Sequence, residues 1–284
     1  MTAPGGLARF PPRSALPGFG LALGVTLFWL SAFVLVPLAA LALRPWEHGL
    51  ASAWASVTEP RVLAALRLSF GAALAAAAVN LPLGLLLAWA LNRYDFPGRR
   101  LADAMVDLPF ALPTAVAGVA LTALYAPNGW LGAPLAGAFG WRIAYTPAGV
   151  MVALVFVGLP FIVRTVEPVL RDLPVEAEEA AATLGATRLQ TLRRVVLPAL
   201  APALLTGFGL AFARAVGEYG SVIFIAGNLP MVSEIAPLLI VIRLEEFNYA
   251  GAAAIGLTML AFAFVILLLV NRLQWALRPW ARGA

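Results

Sequence analysis

The sequence contains no cysteine, no lysine and one histidine among its 284 residues. The absence of cysteine excludes disulfides, thiolate metal sites and cysteine nucleophiles. The histidine, His48, follows the first long apolar stretch, a position more typical of an interfacial bystander than of a ligand or catalytic base. Asp103 and Asp107 could form a carboxylate pair, but their spacing fits a solvated helix face better. We expect no catalytic residue, no metal site and no cofactor bound by this chain.

Charged residues are also scarce. They make up 12% of the sequence, against roughly 25% in soluble globular domains. Hydrophobic residues make up 62%, so a soluble body of this size would lack polar surface, and a lipid bilayer is the solvent that fits. The net charge of +5 comes from arginines. No basic run is interleaved with aromatic residues in a polar segment, so we expect contacts with lipid headgroups and not with nucleic acid.

Long uncharged stretches predict an all-α membrane protein with six transmembrane helices. A helix needs about 20 apolar residues to cross a bilayer. The predicted spans lie within residues 14–43, 68–92, 108–125, 143–163, 200–227 and 247–271. The fifth is interrupted only by Arg214 and Glu218. Glycines and prolines in 126–141 predict an outer loop near the interface. The first run is too long for a signal peptide, so we expect it to be retained.

The arginines predict the orientation of these spans. With the N-terminus in the cytoplasm, 13 of the 19 arginines lie on the cytoplasmic side, 5 lie outside and Arg214 lies in the membrane. Basic residues are enriched in cytoplasmic loops. We therefore predict that both termini are cytoplasmic.

The longest polar cytoplasmic segment, Arg164 to Pro198, predicts two short helices. Asp172 can cap the first, over Leu173–Gly185, and Gly185 stops it. Thr187 and Gln190 form a capping box that opens the second, which Pro198 closes. Two short helices joined at a glycine turn suit insertion into a groove on a partner. The residues alone fit an amphipathic helix lying on lipid equally well.

This segment resembles the EAA loop of bacterial ABC importer permeases. The matching residues are Glu179-Ala180-Ala181, Gly185 and Val195-Val196-Leu197-Pro198, with valine at 195 where isoleucine is commoner. The resemblance covers residues 66–272 and implies the type-I permease core, with the loop at 171–198. Residues 1–65 would form a cytoplasmic tail, the first span and an outer loop, and 273–284 a cytoplasmic tail. The implied ATPase-coupling residues are Glu178, Glu179, Ala180, Ala181, Gly185, Leu197 and Pro198.

The resemblance also implies partners. The chain has no glycine-rich phosphate-binding loop of the G-x-x-x-x-G-K-[ST] form and no lysine to complete one. ATP would therefore be used by a separate ABC ATPase dimer on the cytoplasmic side. A second permease chain and a periplasmic binding protein would complete the importer in the bacterial inner membrane, where this chain is a multi-pass subunit.

Arg214 falls near the middle of the fifth span, where a charge costs about 2.5–3.5 kcal/mol. Glu218 lies four residues on and can pair with it on one helix face. The pair fits a structural staple or a translocation route equally well. The candidate pathway residues are Arg214, Glu218, Tyr219, Pro113 and Thr114.

Three stretches resemble oxyanion importers. Residues 214–220 resemble both molybdate and sulfate permeases, and 108–118 resemble the third span of sulfate/thiosulfate permeases. Residues 227–240 resemble the outer loop of their T-type subunit, whose partner is the W-type subunit. The resemblance implies sulfate or thiosulfate import by alternating access, with molybdate or tungstate as the alternative.

Two physical features of these stretches stand apart from the resemblance. Pro109 and Pro113 leave backbone groups to be satisfied by protein or water, which favours a span bordering a cavity. Prolines and Glu234 keep Leu229–Leu244 from being a seventh span, so it either faces a binding protein or only packs. A secondary anion transporter that needs no ATP is the competing class, although the sequence has no internal repeat.

Overall fold

The computed structural model describes residues 18–281. The tail with Arg9 and Arg13, the last three residues and the side chain of His48 lie outside the described part. Residues 18–281 form helices and turns, without a strand. The helices are α1 (Phe19–Glu47), α2 (Leu50–Thr58), α3 (Pro60–Arg93), α4 (Arg99–Val106), α5 (Leu108–Ala111), α6 (Thr114–Tyr125), α7 (Gly132–Phe139), α8 (Pro147–Asp172), α9 (Val175–Thr183), α10 (Arg188–Val216), α11 (Val222–Ile225), α12 (Ala236–Glu245) and α13 (Tyr249–Ala281).

Five helices, α1, α3, α8, α10 and α13, are long and apolar enough to cross a membrane, which confirms five of the predicted spans. The third predicted span is broken into α5 and α6. Leu112 between them is extended (ψ 134°) because it precedes Pro113. The 12 residues of α6 rise about 18 Å, short of a bilayer core of about 30 Å. The third crossing is therefore a short helix entered through a kinked connection.

The core of the bundle lies where α3, α8 and α10 pack together. Large side chains such as Ile162 and Phe212 are fully buried there. A methyl group added to Gly84 of α3 would lie 2.5 Å from the Ile162 side chain, so the two helices approach as closely as glycine allows. By contrast, α1 buries no residue before Pro45, and its first part, Phe19–Leu30, is apolar around the whole circumference, as suits a helix that faces lipid.

Ion pairs between distant segments show which loops share an end of the bundle. At one end of α3, Arg93 pairs with Glu178. At the other, Arg61 pairs with Glu234 at 2.6 Å. We call these the Arg93 end and the Arg61 end. The second and fourth predicted loops meet at the Arg93 end, in agreement with the predicted alternation of spans. Which end faces the cytoplasm stays a prediction.

Two segments at the Arg61 end refine the predictions. The loop expected over 126–141 contains a helix, α7, because its glycines and prolines lie mainly at its ends and in the preceding turn. The segment Leu229–Leu244 is not a span, as predicted. It contains α12, and the backbone N–H of Ala236 donates a 2.8 Å hydrogen bond to Ser69 Oγ of α3. This segment packs on the bundle, while Leu229 and Met231 remain exposed at its turn.

Candidate functional site

The segment 173–191, which we call the tip segment, projects at the Arg93 end. Its helix α9 begins at Val175 with Pro174 before it, so it is shorter than the predicted 173–185. Asp172 was predicted as its cap but is the last residue of α8, because α8 continues to within two residues of α9. Glu176 and Glu178 occupy the first turn, where the helix dipole favours negative charge.

Gly185 ends α9 as predicted. Its φ is +80°, the left-handed conformation that glycine adopts without a steric penalty. The N–H of Gly185 donates to the carbonyl of Ala182 at 2.9 Å, and that of Ala186 donates to Ala181 at 3.0 Å. These two bonds form a Schellman motif, which turns the chain sharply after α9.

The predicted capping box is present at Thr187. The N–H of Gln190 donates to Thr187 Oγ1 at 3.4 Å, and the N–H of Thr187 donates to Gln190 Oε1 at 2.7 Å. The predicted end of this helix at Pro198 is wrong. A wide π turn over Leu192–Val196 precedes Pro198, and such a turn relieves the clash of the proline ring with the preceding turn. The helix therefore runs unbroken to Val216.

The predicted coupling residues fall into two groups. Glu179, Ala180 and Gly185 are exposed in the tip segment, and Ala181 and Glu178 are half-buried there. Leu197 and Pro198 are half-buried in the membrane helix beyond it. Two exposed apolar side chains near Gly185 were not among the predicted coupling residues, namely Leu184 at 89% and Leu189 at 54% exposure. The tip segment thus presents an apolar and acidic surface.

Arg93 joins the tip segment to α3, a contact that sequence reasoning missed. Its guanidinium donates to Glu178 Oε1 at 2.8 Å and to the carbonyl oxygen of Leu173 at 3.1 Å. It also lies 5.8 Å from the centroid of the Trp89 ring. No short-range pattern signals this contact, because 85 residues separate the two charges.

Arg164 of α8 organises a second charged cluster at the Arg93 end. It pairs with Asp103 and Asp107, at 2.7 Å each, and with Glu167 at 2.6 Å. The interpretation of Asp103 and Asp107 as a solvated helix face is therefore wrong in part. Both are half-exposed, but each binds Arg164, because α4 lies against α8.

The predicted ion pair between Arg214 and Glu218 is present. Glu218 does not lie on the helix as expected, since α10 ends at Val216. It belongs to the following turn, where its Oε1 accepts hydrogen bonds from the N–H (2.8 Å) and Oγ (2.9 Å) of Ser221. The Glu218 side chain is 1% exposed and that of Arg214 is 35% exposed. A buried carboxylate thus anchors a guanidinium that lies partly on the surface.

The turn after α10 lies against the start of α6. A methyl group on Gly220 would lie 2.1 Å from Thr114 Oγ1, and one on Gly118 would lie 2.5 Å from the carbonyl oxygen of Ser221. Thr114 therefore lies beside this turn, and Pro113 next to it is exposed. Tyr219, the remaining candidate, is half-buried and packs against the core. That these residues line a translocation path stays a prediction.

The chain is similar in sequence to known transport proteins. A family model described as "Binding-protein-dependent transport system inner membrane component" matches residues 80–283. A sulfate transport system permease protein (CysT) of Salmonella typhimurium is 50% identical over 262 residues, 92% of this chain and 94% of the relative. The protein of the same name in Synechococcus elongatus is 50% identical over 254 residues, 89% of this chain and 91% of the relative.

Solved structures confirm the predicted fold class. A bacterial ABC transporter involved in the import of the acidic polysaccharide alginate aligns with a TM-score of 0.74 at 17% identity. The alignment covers 90% of this chain and 94% of that one. The inward-facing MetNI methionine ABC transporter aligns with a TM-score of 0.56 at 20% identity, over 81% of this chain and 99% of that one. At such identities the likeness concerns the fold alone.

Proposed function

Because the chain belongs to the family of binding-protein-dependent transport system inner membrane components, we propose that it is the membrane-spanning permease subunit of an ATP-driven sulfate importer. The observation that carries the proposal is the 50% identity, over 92% of the chain, to a protein named as a sulfate transport permease. The chain itself supplies membrane helices and a docking element. ATP is bound and hydrolysed by a partner.

The tip segment is the proposed docking element for a separate ATPase dimer. Its exposed residues include Glu179, Leu184 and Leu189, at the end of the bundle that the arginines assign to the cytoplasm. An apolar surface rimmed by charges and exposed to water is the kind of patch that a protein partner covers. Gly185 fixes the shape of this surface because the chain turns there.

The continuity of α10 supplies the mechanical link. The helix begins inside the tip segment at Arg188 and extends to Val216, so it crosses the membrane as one rod. From Arg188 to Arg214 its rise is about 39 Å. A displacement of the tip by a closing ATPase dimer therefore moves the Arg214 end of the same rod. This is the proposed basis of alternating access.

Arg214 is the proposed contact for the anion. Glu218 is buried and binds Ser221 as well as Arg214, so it holds the guanidinium in place. The part of Arg214 that reaches the surface can attract a dianion. Thr114 and Pro113, beside the turn after Glu218, border the same region. A second permease chain, of the W type, would supply the other side of the path.

A periplasmic binding protein would deliver the anion at the Arg61 end. Sulfate and thiosulfate are tetrahedral dianions of similar shape. A single arginine side chain would discriminate poorly between them, because it attracts the charge that both anions carry. We therefore propose that this chain passes both and that the binding protein selects.

The test is uptake of labelled sulfate by vesicles containing this chain, a W-type permease, the ATPase and the binding protein. We expect uphill accumulation that needs ATP and is inhibited by thiosulfate. An ATPase variant unable to hydrolyse ATP is the control and should abolish uptake. Uptake that survives without the ATPase but stops when ion gradients are collapsed would contradict the proposal. Uptake of molybdate but not of sulfate would contradict the proposal that sulfate is the substrate.

A further inference from the structure

Arg93 occupies a junction between three elements at the Arg93 end. It is the last residue of α3, where the helix dipole favours a positive charge. Its guanidinium reaches Glu178 in the first turn of α9 and the carbonyl oxygen of Leu173 in the connection from α8 to α9. One side chain thus binds the end of one membrane helix to the hinge of the tip segment.

The surroundings fix this side chain. Its exposed fraction is 17% and that of Glu178 is 23%, so solvent screens the pair only partly. The Trp89 ring lies within cation–π distance of the guanidinium. Among the described residues, Arg93 makes the only side-chain hydrogen bonds between α3 and residues 173–183. Arg93 therefore attaches α9 directly to α3, in addition to the indirect route through α8, which packs on α3.

We propose that Arg93 is a positioning residue that holds α9 and α3 together as one moving unit, so that displacement of the tip segment is passed to α3 as well as to α10. The proposal rests on the proposed function, since it assigns a route for force that enters at the tip segment. The polypeptide joins α9 to α8 and to α10, but it does not join α9 to α3. The ion pair between Arg93 and Glu178 connects α9 to α3 directly.

The role of Arg93 differs from that of Glu179. Glu179 is exposed on the tip segment and has no side-chain hydrogen bond or ion pair among the described residues, so it is available to a partner. Glu178, its neighbour, points to the chain's own α3. These two adjacent carboxylates of α9 thus have different roles. Glu179 is available for docking to a partner, and Glu178 attaches α9 to α3.

The first experiment measures sulfate transported per ATP hydrolysed by the complete importer in vesicles. With Arg93→Gln, ATP hydrolysis should continue while the ratio falls at least about fivefold, the size of a typical coupling between sites. Arg93→Lys keeps the charge but not the planar guanidinium that lies near the Trp89 ring, and its ratio should lie between those of Arg93→Gln and the wild type. Arg100→Gln is the matched control, because Arg100 is exposed and has no ion pair within residues 18–281. It should keep the wild-type ratio.

The second experiment uses the absence of cysteine in this chain. The double variant Arg93→Cys, Glu178→Cys should have a low ratio, which a short, cleavable thiol cross-linker should restore and reduction should lower again. A covalent bridge between α3 and α9 can restore the ratio of sulfate to ATP only if these two helices move together during transport. Cross-linking that stops transport, or a normal ratio in Arg93→Gln, would overturn the role of Arg93. A wild-type importer that fails to accumulate sulfate would instead contradict the proposed function.

Discussion

The membrane bundle and the tip segment use apolar side chains in opposite ways. In the bundle, α3, α8 and α10 bury residues such as Ile162 and Phe212 completely. In the tip segment, neither α9 nor the first turn of α10 buries a residue, and Leu184 is 89% exposed. Helix α1 also exposes apolar side chains, but lipid can cover those. This difference supports the proposal that another protein covers the tip segment.

The charged cluster around Arg164 should be the part of the bundle most sensitive to mutation. Arg164→Leu leaves Asp103 and Asp107 without a cation, and we expect a loss of about 2 kcal/mol, because several charge-assisted hydrogen bonds that solvent screens only in part are lost together. Thermal unfolding in detergent measures it. The control is Arg171→Leu, because the Arg171 side chain is 67% exposed and, among the described residues, pairs with Glu167 alone. The free energy of unfolding of that variant should fall by less than about 1 kcal/mol. Equal losses in the two variants would contradict the proposal that Arg164 anchors α4 to α8.

Close packing at the start of α6 should come next. Gly118→Ala places a methyl group against the backbone of Ser221, which cannot rotate away, so we expect a loss of about 1–3 kcal/mol. Gly24→Ala in α1 is the matched substitution in a helix with nothing within 4 Å of the added carbon. Alanine favours helix there, so its unfolding temperature should stay the same or rise. A loss of stability in both variants would show that α1 is packed like the bundle.

Changes in the tip segment should affect transport and barely affect stability. Gly185→Val forces a branched residue into a left-handed conformation, at a local cost of about 1–3 kcal/mol that the turn can relieve by changing shape. We expect unchanged unfolding of the bundle and a lower yield of sulfate per ATP. Gly140→Val is the control, since Gly140 has φ +69° in open space at the Arg61 end. It should transport normally, and equal uncoupling in the two variants would contradict the comparison.

Local patterns in the sequence predicted much of this structure. Hydropathy identified five long helices because a span is a property of consecutive residues. Gly185 and the Thr187 capping box were predicted because turns and caps depend on residues a few positions apart. The partner of Arg214 was found for the same reason, although Glu218 turned out to lie beyond the helix end.

The rest depended on contacts between distant residues or on backbone adjustments. Arg93 with Glu178, and Arg164 with Asp103, are joined only by the packing of α3, α4 and α8, which no local pattern encodes. Pro198 was read as a helix end because proline lacks a backbone donor. The π turn before it accommodates the ring and ends at Val196, which is buried in the core.

The most direct test of the account is the accessibility of position 184 in the assembled importer. The sequence has no cysteine, so Leu184→Cys places the only thiol of this chain at a position of the tip segment that is 89% exposed. Leu229→Cys, at the exposed turn of the Arg61 end, is the control for sidedness. We predict that a membrane-impermeant maleimide labels residue 184 only from the cytoplasmic side, and that adding the ATPase strongly slows this labelling. Labelling of 184 from the periplasmic side, or at the same rate with the ATPase bound, would contradict the account.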